Sequence, residues 1–267
     1  MCGENEIKLI ILAAGQGARL RPLTSNKPKC MIKVHGKPIL QWQVETARQA
    51  GIEDIVIVRG FLKDSIDIQG VVYAENARYA ETNMVETLFC AAEYFRSRLI
   101  VSYGDILYEK QVIQKLANSK HQISVAVDTN WKDYWEERFT NPLMDAETLK
   151  LDSNGNIIEI GQKPENLNCI QGQYIGLTAF QGEGLEEVQK VYKKEKEYFL
   201  RGEKSICKER NLDELYMTDL IQGVINQGNM VSPVFITGNW LEVDSLKDFK
   251  LAEQYVDSKS ISLKIFR

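Results

Sequence analysis

Apolar runs without alternation recur through the first half of the chain, separated by stretches with helical spacing. Residues 7–14 (IKLIILAA) form the first such run, and an apolar run with no polar alternate suits a central parallel strand covered on both faces. Residues 54–58, 70–74, 98–103 and 123–127 read as further strands, with helices expected over 39–50, 83–95 and 109–117. Asn83 is a candidate N-cap, and Glu86 stands three residues on, as in a capping box. This alternation predicts an α/β protein with a three-layer α/β/α, Rossmann-like fold and a mostly parallel central sheet. From Trp131 to Pro164 the chain becomes polar and aromatic, and two short strands flanking Asn154-Gly155 read as a hairpin. A strand over 173–180, a charged amphipathic helix over 185–198 presenting a solvated face, a helix over 216–226 and a strand over 231–237 follow. One domain is expected over residues 1–257, with 131–165 as a small inserted β-containing subdomain or lid at the substrate and 258–267 as a C-terminal tail or a strand added at an edge.

The first strand runs into Gly15-Gln16-Gly17, and Arg19, Arg21, Lys27 and Lys29 follow. Glycines let a backbone approach an anion closely, and cationic side chains on the same rim suit phosphate. Pro22 and Pro28 keep the segment from continuing as one helix, which leaves the basic residues on a loop. A Rossmann fingerprint would need glycine where Leu20 stands, and a P-loop would need Gly-Lys-Ser/Thr where Ala18-Arg19 stands. The loop is therefore a phosphate site of another kind. Asp105 stands beyond the carboxyl end of the strand over 98–103, where ligands of open α/β sheets bind. Glu242 and Asp244, two residues apart, are expected on one face of a short strand and offer partner carboxylates for Mg²⁺ on a nucleoside triphosphate.

Composition narrows the partners. A formal net charge of -4 over 267 residues gives no reason to expect nucleic acid or an anionic membrane, so the basic loop is local and ligand-directed. No run has the length of a transmembrane helix, and the N-terminus lacks a signal-peptide profile, which makes the cytoplasm the expected compartment. The 5 cysteines form no CxxC pair and there are only 2 histidines, so a disulfide framework, a zinc site and a histidine-based triad are all poorly supported. Oligomeric state is open, with a homodimer compatible.

Leu12-Ala13-Ala14-Gly15-Gln16-Gly17-Ala18-Arg19-Leu20, with Pro28-Lys29 after it, resembles the signature of the sugar-phosphate nucleotidyltransferase superfamily. The segments 79–85, 138–150, 173–177, 216–218 and 238–240 narrow the resemblance to its cytidylyltransferases, which load small phosphorylated or phosphonylated compounds onto CMP. That resemblance implies an enzyme using CTP, Mg²⁺ and such an acceptor, phosphoglutamine for capsular polysaccharide modification being the first expectation and phosphocholine or aminoethylphosphonate the alternatives. A uridylyl- or thymidylyltransferase of sugar phosphates, against which the middle segment counts, and a nucleotide-binding domain without catalysis, against which Arg19, Lys29 and the two carboxylates count, are the further readings. It implies nucleotide contacts at Leu12, Ala13, Ala14, Gly15, Gly17, Asn83, Tyr103 and Gly104, catalytic contacts at Arg19, Lys29 and Lys163, and metal ligands Asp105 and Asp244. Acceptor contacts are expected at Trp131, Tyr134, Arg138, Asp145, Glu147, Tyr174 and Glu242. Several of these residues have a second reading: Asn83 as a helix cap, Lys163 as a surface lysine, the aromatic cluster with Arg138 as packing, and Asp145 and Glu147 as solvated charges.

Overall fold

The computed structural model describes residues 6–203, 205 and 210–257; the expected tail at 258–267 lies outside them. The first half contains β1 Lys8–Ala13, β2 Lys33–Val34, β3 Lys37–Pro38, α1 Ile39–Gln49, β4 Asp54–Arg59, β5 Val72–Glu75, α2 Met84–Phe89, β6 Arg98–Tyr103, β7 Ile106–Tyr108, α3 Lys110–Ala117 and β8 Ile123–Asp128. The second half contains α4 Trp131–Arg138, β9 Leu149–Leu151, β10 Ile157–Ile160, β11 Gln173–Gln181, α5 Glu183–Arg201, α6 Met217–Asn226, β12 Ser232–Ile236, β13 Trp240–Glu242 and α7 Leu246–Tyr255. Seven strands form one sheet in the order β12-β8-β11-β6-β1-β4-β5, parallel throughout except for β11, which runs antiparallel to both β6 and β8.

Two apolar clusters explain why β1 shows no alternation. Leu9 and Ile11 face one cluster with Leu40 and Val44 of α1 and Val112 and Leu116 of α3. Ile10 and Leu12 face the other with Val85 and Leu88 of α2, Val188 and Val191 of α5 and Leu220 of α6. Both faces of the strand are covered by helices, and each fully buried aliphatic side chain contributes about 1.5–3 kcal/mol. The expected α/β layering with a mostly parallel sheet is what the chain adopts. Among the described residues no helix is long and apolar enough to cross a membrane.

Local departures from expectation have physical causes. The helix expected over 83–95 ends at Phe89, with a separate 3-10 turn at Ala92–Tyr94. Asn83 Oδ1 accepts from the Met84 amide at 2.9 Å, but Glu86 accepts from the Tyr192 hydroxyl at 2.6 Å instead of completing a capping box. The segment from Trp131 opens as a helix, because Trp131, Tyr134, Trp135 and Arg138 follow the spacing of one helical face. The Asn154-Gly155 hairpin forms as β9–β10, its turn held by Asp152 Oδ1 accepting from the Asn154 and Asn156 amides at 2.8 Å each. It is fastened to the body through Ile157 N–H to the Val231 carbonyl at 2.8 Å and Ile160 N–H to Gln222 Oε1 at 2.9 Å. Helix α7, which the sequence pattern did not reveal, starts at a capping box made by Ser245 and Asp248.

The site is positioned by what lies at the carboxyl ends of β1, β6 and β8. Beyond β6 the Gly104 amide donates to the Leu12 carbonyl at 3.0 Å, and a Cβ on Gly104 would stand 2.6 Å from that oxygen. β7 then pairs antiparallel with β13, and the Val243 amide donates to the Asp105 carbonyl at 2.9 Å, which brings Asp105 beside Glu242 and Asp244. Strand β13 ends at Glu242, so Asp244 sits beyond it rather than on a shared strand face as expected. At the end of β8 the buried Asp128 carboxylate accepts from the Asn130 amide, the Gly238 amide and Trp240 Nε1, each at 2.9 Å. It thereby fixes the start of β13. Asp128→Ala leaves buried donors without an acceptor, and urea denaturation is expected to show a loss of about 2–4 kcal/mol in unfolding free energy.

Candidate active site

Two adjoining cavities open at these strand ends, of about 290 and 330 Å³. Leu12, Ala13, Ala14, Gly15, Gly17, Asn83, Tyr103 and Gly104 all line the first, together with Arg19, Lys29, Asp105 and Asp244. Asp145, Glu147, Tyr174 and Glu242 line the second. Arg19, Met84 and Tyr103 belong to both walls. Of the basic residues expected on one rim, Arg21 and Lys27 line neither cavity; Leu20, next to Arg21, is buried in the core.

The two glycines of the turn differ. Gly17 has φ +67°, and a Cβ there would stand 2.8 Å from Cβ of Lys29, so the protein's own packing demands glycine. Gly15 has nothing within 4 Å of an added Cβ, and its open backbone faces the first cavity. A side chain at Gly15 would meet open space, so the protein's own packing does not demand glycine there.

Charge is concentrated between the cavities. Lys29 Nζ lies 2.5 Å from Asp105 Oδ2 and 2.5 Å from Asp244 Oδ1, and Arg19 pairs with the other oxygen of Asp244. Burial works against the Lys29 charge, but Asp105, Asp244 and Glu242 outweigh it and hold its pKa above the ordinary lysine value. Asp105, Glu242 and Asp244 each offer a carboxylate oxygen, all within 4.8 Å of one another. Asp105 Oδ1 is buried and accepts no hydrogen bond. Hard oxygen donors gathered this way, one of them without a protein donor, fit a divalent cation of the Mg²⁺ type.

Three expected acceptor contacts are placed elsewhere. Trp131 and Tyr134 are buried in the core and line neither cavity, because the helical face that carries them packs against Trp240; the Tyr134 and Trp240 rings are 5.5 Å apart. The Tyr134 hydroxyl accepts from the Glu242 amide at 2.9 Å, holding that strand from behind. Arg138 is likewise buried and lines neither cavity: it pairs with Glu242 at 2.9 Å and Asp248 at 2.9 Å. It orients a carboxylate of the cavity wall instead of forming the wall. Lys163 is exposed and lines neither cavity; Thr148 N–H to the Gln162 carbonyl at 2.8 Å extends the hairpin pairing just before it.

The second cavity also contains residues that sequence reasoning gave no role, Arg210 above all. Arg210 ends a short charged run, Lys208-Glu209-Arg210, in a stretch without periodicity, so no local pattern marked it. Trp135, the one member of the expected aromatic cluster to reach this wall, stands there with Trp240, Tyr216 and Thr218. Burial first, then the Asp219 and Asp145 carboxylates, push the Glu147 carboxyl up to about 7. Its neutral form is thus favoured on folding: between about 4.5 and 7 the native state binds more protons than the unfolded chain, and stability falls as pH rises through that window. Glu147→Gln is therefore expected to match the parent below this window and to exceed it by about 2–3 kcal/mol at pH 8 in ligand-free denaturation experiments.

Residues 9–195 match the model of the MobA-like NTP transferase domain. The chain is 40% identical over 255 residues to CTP:phosphoglutamine cytidylyltransferase of Campylobacter jejuni, covering 91% of this chain and 97% of that protein. It is 34% identical to choline-phosphate cytidylyltransferase of Streptococcus pneumoniae over 43% of this chain and 52% of that protein. Among solved structures, CTP:phosphocholine cytidylyltransferase of S. pneumoniae superimposes with a TM-score of 0.70 at 23% identity, covering 94% of this chain and 100% of that one, which shows the shared fold. The glycine turn, Arg19 and Lys29 thus stand within a nucleotidyltransferase, and the chain belongs to the MobA-like NTP transferase family.

Proposed function

We propose that this nucleotidyltransferase couples CMP from CTP to a small phosphorylated acceptor, phosphoglutamine by preference, and releases pyrophosphate, in the cytoplasm and in the service of surface polysaccharide modification. The observation that carries the reading is the junction of the two cavities, where Lys29, Asp105 and Asp244 meet beside the glycine turn. The 40% identity to CTP:phosphoglutamine cytidylyltransferase over 97% of that protein supports the choice of nucleotide and acceptor.

The triphosphate lies against the open backbone at Gly15, with Arg19 neutralising its charge. An acceptor phosphate oxygen enters from the second cavity and attacks the α-phosphorus of CTP; the bond to the bridging oxygen breaks and pyrophosphate departs in line. An acceptor phosphate is already ionised near neutral pH, so no general base is required, and catalysis rests on positioning and charge stabilisation. Lys29, held charged by its carboxylate neighbours, donates to the oxygens that gain negative charge at the α-phosphate. Asp105 and Asp244, with Glu242 beside them, would hold Mg²⁺, which supplies charge neutralisation on the phosphates when bound. Asp145 and Glu147 on the second cavity's wall suit an ammonium group on the acceptor.

Lys29→Ala and Asp105→Asn are each expected to lower turnover about 10²–10³-fold in a pyrophosphate-release assay, with folding intact. Retention of activity within about threefold in either variant contradicts these roles, a factor equal to under 1 kcal/mol of transition-state stabilisation. A matrix of four nucleoside triphosphates against phosphoglutamine, phosphocholine, aminoethylphosphonate and glucose 1-phosphate tests the substrates, with the signal expected in the CTP–phosphoglutamine well. Release confined to a sugar phosphate with UTP or dTTP sinks the assignment.

A further inference from the structure

Arg210 lines the second cavity and not the first, so it is a cation on the acceptor side that the triphosphate has no use for. The phosphate-facing cations Arg19 and Lys29 are at the other end, where the acceptor's own phosphate must reach the α-phosphorus. An acceptor recognised by its positive charge alone gains from Asp145, Glu147 and Glu242 but is repelled by Arg210.

Arg210 is also held in a definite orientation. Its Nη1 bonds to Oδ2 of the buried Asp219 at 2.7 Å, and its guanidinium lies 4.6 Å from the centre of the Tyr216 ring. The Asp219 oxygen also accepts from the Tyr216 amide at 2.9 Å, which ties the carboxylate to the same turn. One nitrogen anchors the plane, and a guanidinium carries five N–H donors in a fixed fork, a shape that matches a carboxylate. Glu147 lies close enough for its charge and that of Arg210 to act on one another.

Resting on the cytidylyl-transfer reading, we propose that Arg210 recognises a carboxylate on the acceptor, so that the cavity selects a phosphorylated amino acid carrying both ammonium and carboxylate over acceptors bearing a cation alone. The ammonium faces Asp145 and Glu147, the carboxylate faces Arg210, and the phosphate extends past Tyr103 towards Lys29.

The test compares phosphoglutamine with the same compound lacking its α-carboxylate, by CTP-dependent pyrophosphate release. The parent enzyme is expected to prefer the full acceptor by about 10- to 100-fold in kcat/KM, through KM, as a lost charged hydrogen bond dictates. Arg210→Gln is expected to lose that preference by weakening only the full acceptor, and Arg210→Lys to restore part of it. A variant that loses both acceptors equally marks Arg210 as a structural partner of Asp219 and overturns the proposal, while cytidylyl transfer stands. Equal use of the two acceptors by the parent overturns it as well, whatever the variants' folding. A parent enzyme silent with both acceptors, yet shifted in melting temperature by CTP and Mg²⁺, overturns the acceptor reading beneath it.

Discussion

Three carboxylates within 4.8 Å repel one another, and the fold relieves that repulsion both by placing a cation among them and by pushing the partly buried Glu242 carboxyl up to about 7. At an effective dielectric of 20, each like-charged pair at that distance costs about 3–4 kcal/mol. The Lys29 ammonium, 2.5 Å from Asp105 and from Asp244, offsets that repulsion, and the two partners come from positions 76 and 215 residues further along the chain. This contact joins the glycine turn, the end of β6 and the segment after β13. The remainder of the active-site region can be understood as the scaffolding that makes it affordable: β7 against β13, Asp128 under Trp240, and Arg138 between Glu242 and Asp248.

That scaffolding consists of polar groups buried in pairs, and each pair fixes a direction more than it adds stability. A buried ion pair is close to neutral against an apolar equivalent, whereas removal of one partner leaves a charge unsatisfied. Arg138 holds Glu242 and Asp248 together, while Asp248 both caps α7 and accepts from the Asp244 amide at 3.2 Å. Displacement of one side chain in this chain of contacts would reach the Asp105, Glu242 and Asp244 carboxylates from behind the cavity wall.

The sheet and the phosphate loop were legible in the sequence because their signals are local. Apolar runs announced the strands, and the glycine turn, Arg19 and Lys29 fall within one short stretch, residues 15–29, that meets at the first cavity. Asp105 was legible as a strand-end acid. Which aromatic residues of α4 reach the cavity was not, since a stripe at helical spacing looks alike whether it walls a cavity, as Trp135 does, or packs on Trp240, as Tyr134 does. Arg138 and Asp128 depend on partners 110 and 112 residues away, and no local pattern encodes such pairings. Arg210 acquires a role only once Asp219 and Tyr216 are folded beside it.

Tyr103, Met84 and Arg19 wall both cavities, and the Tyr103 ring stands where Gly176 leaves space for it; a Cβ on Gly176 would lie 2.7 Å from the ring. Whatever settles these three side chains for one substrate settles part of the other substrate's site. On the proposed reaction any coupling of the two affinities through these side chains is reciprocal: the factor by which bound nucleotide tightens acceptor binding equals the factor by which bound acceptor tightens the nucleotide. On that proposal, discrimination at the far end of one cavity is felt as retention in the other, and an acceptor that leaves these side chains unsettled forgoes the tightening of the nucleotide.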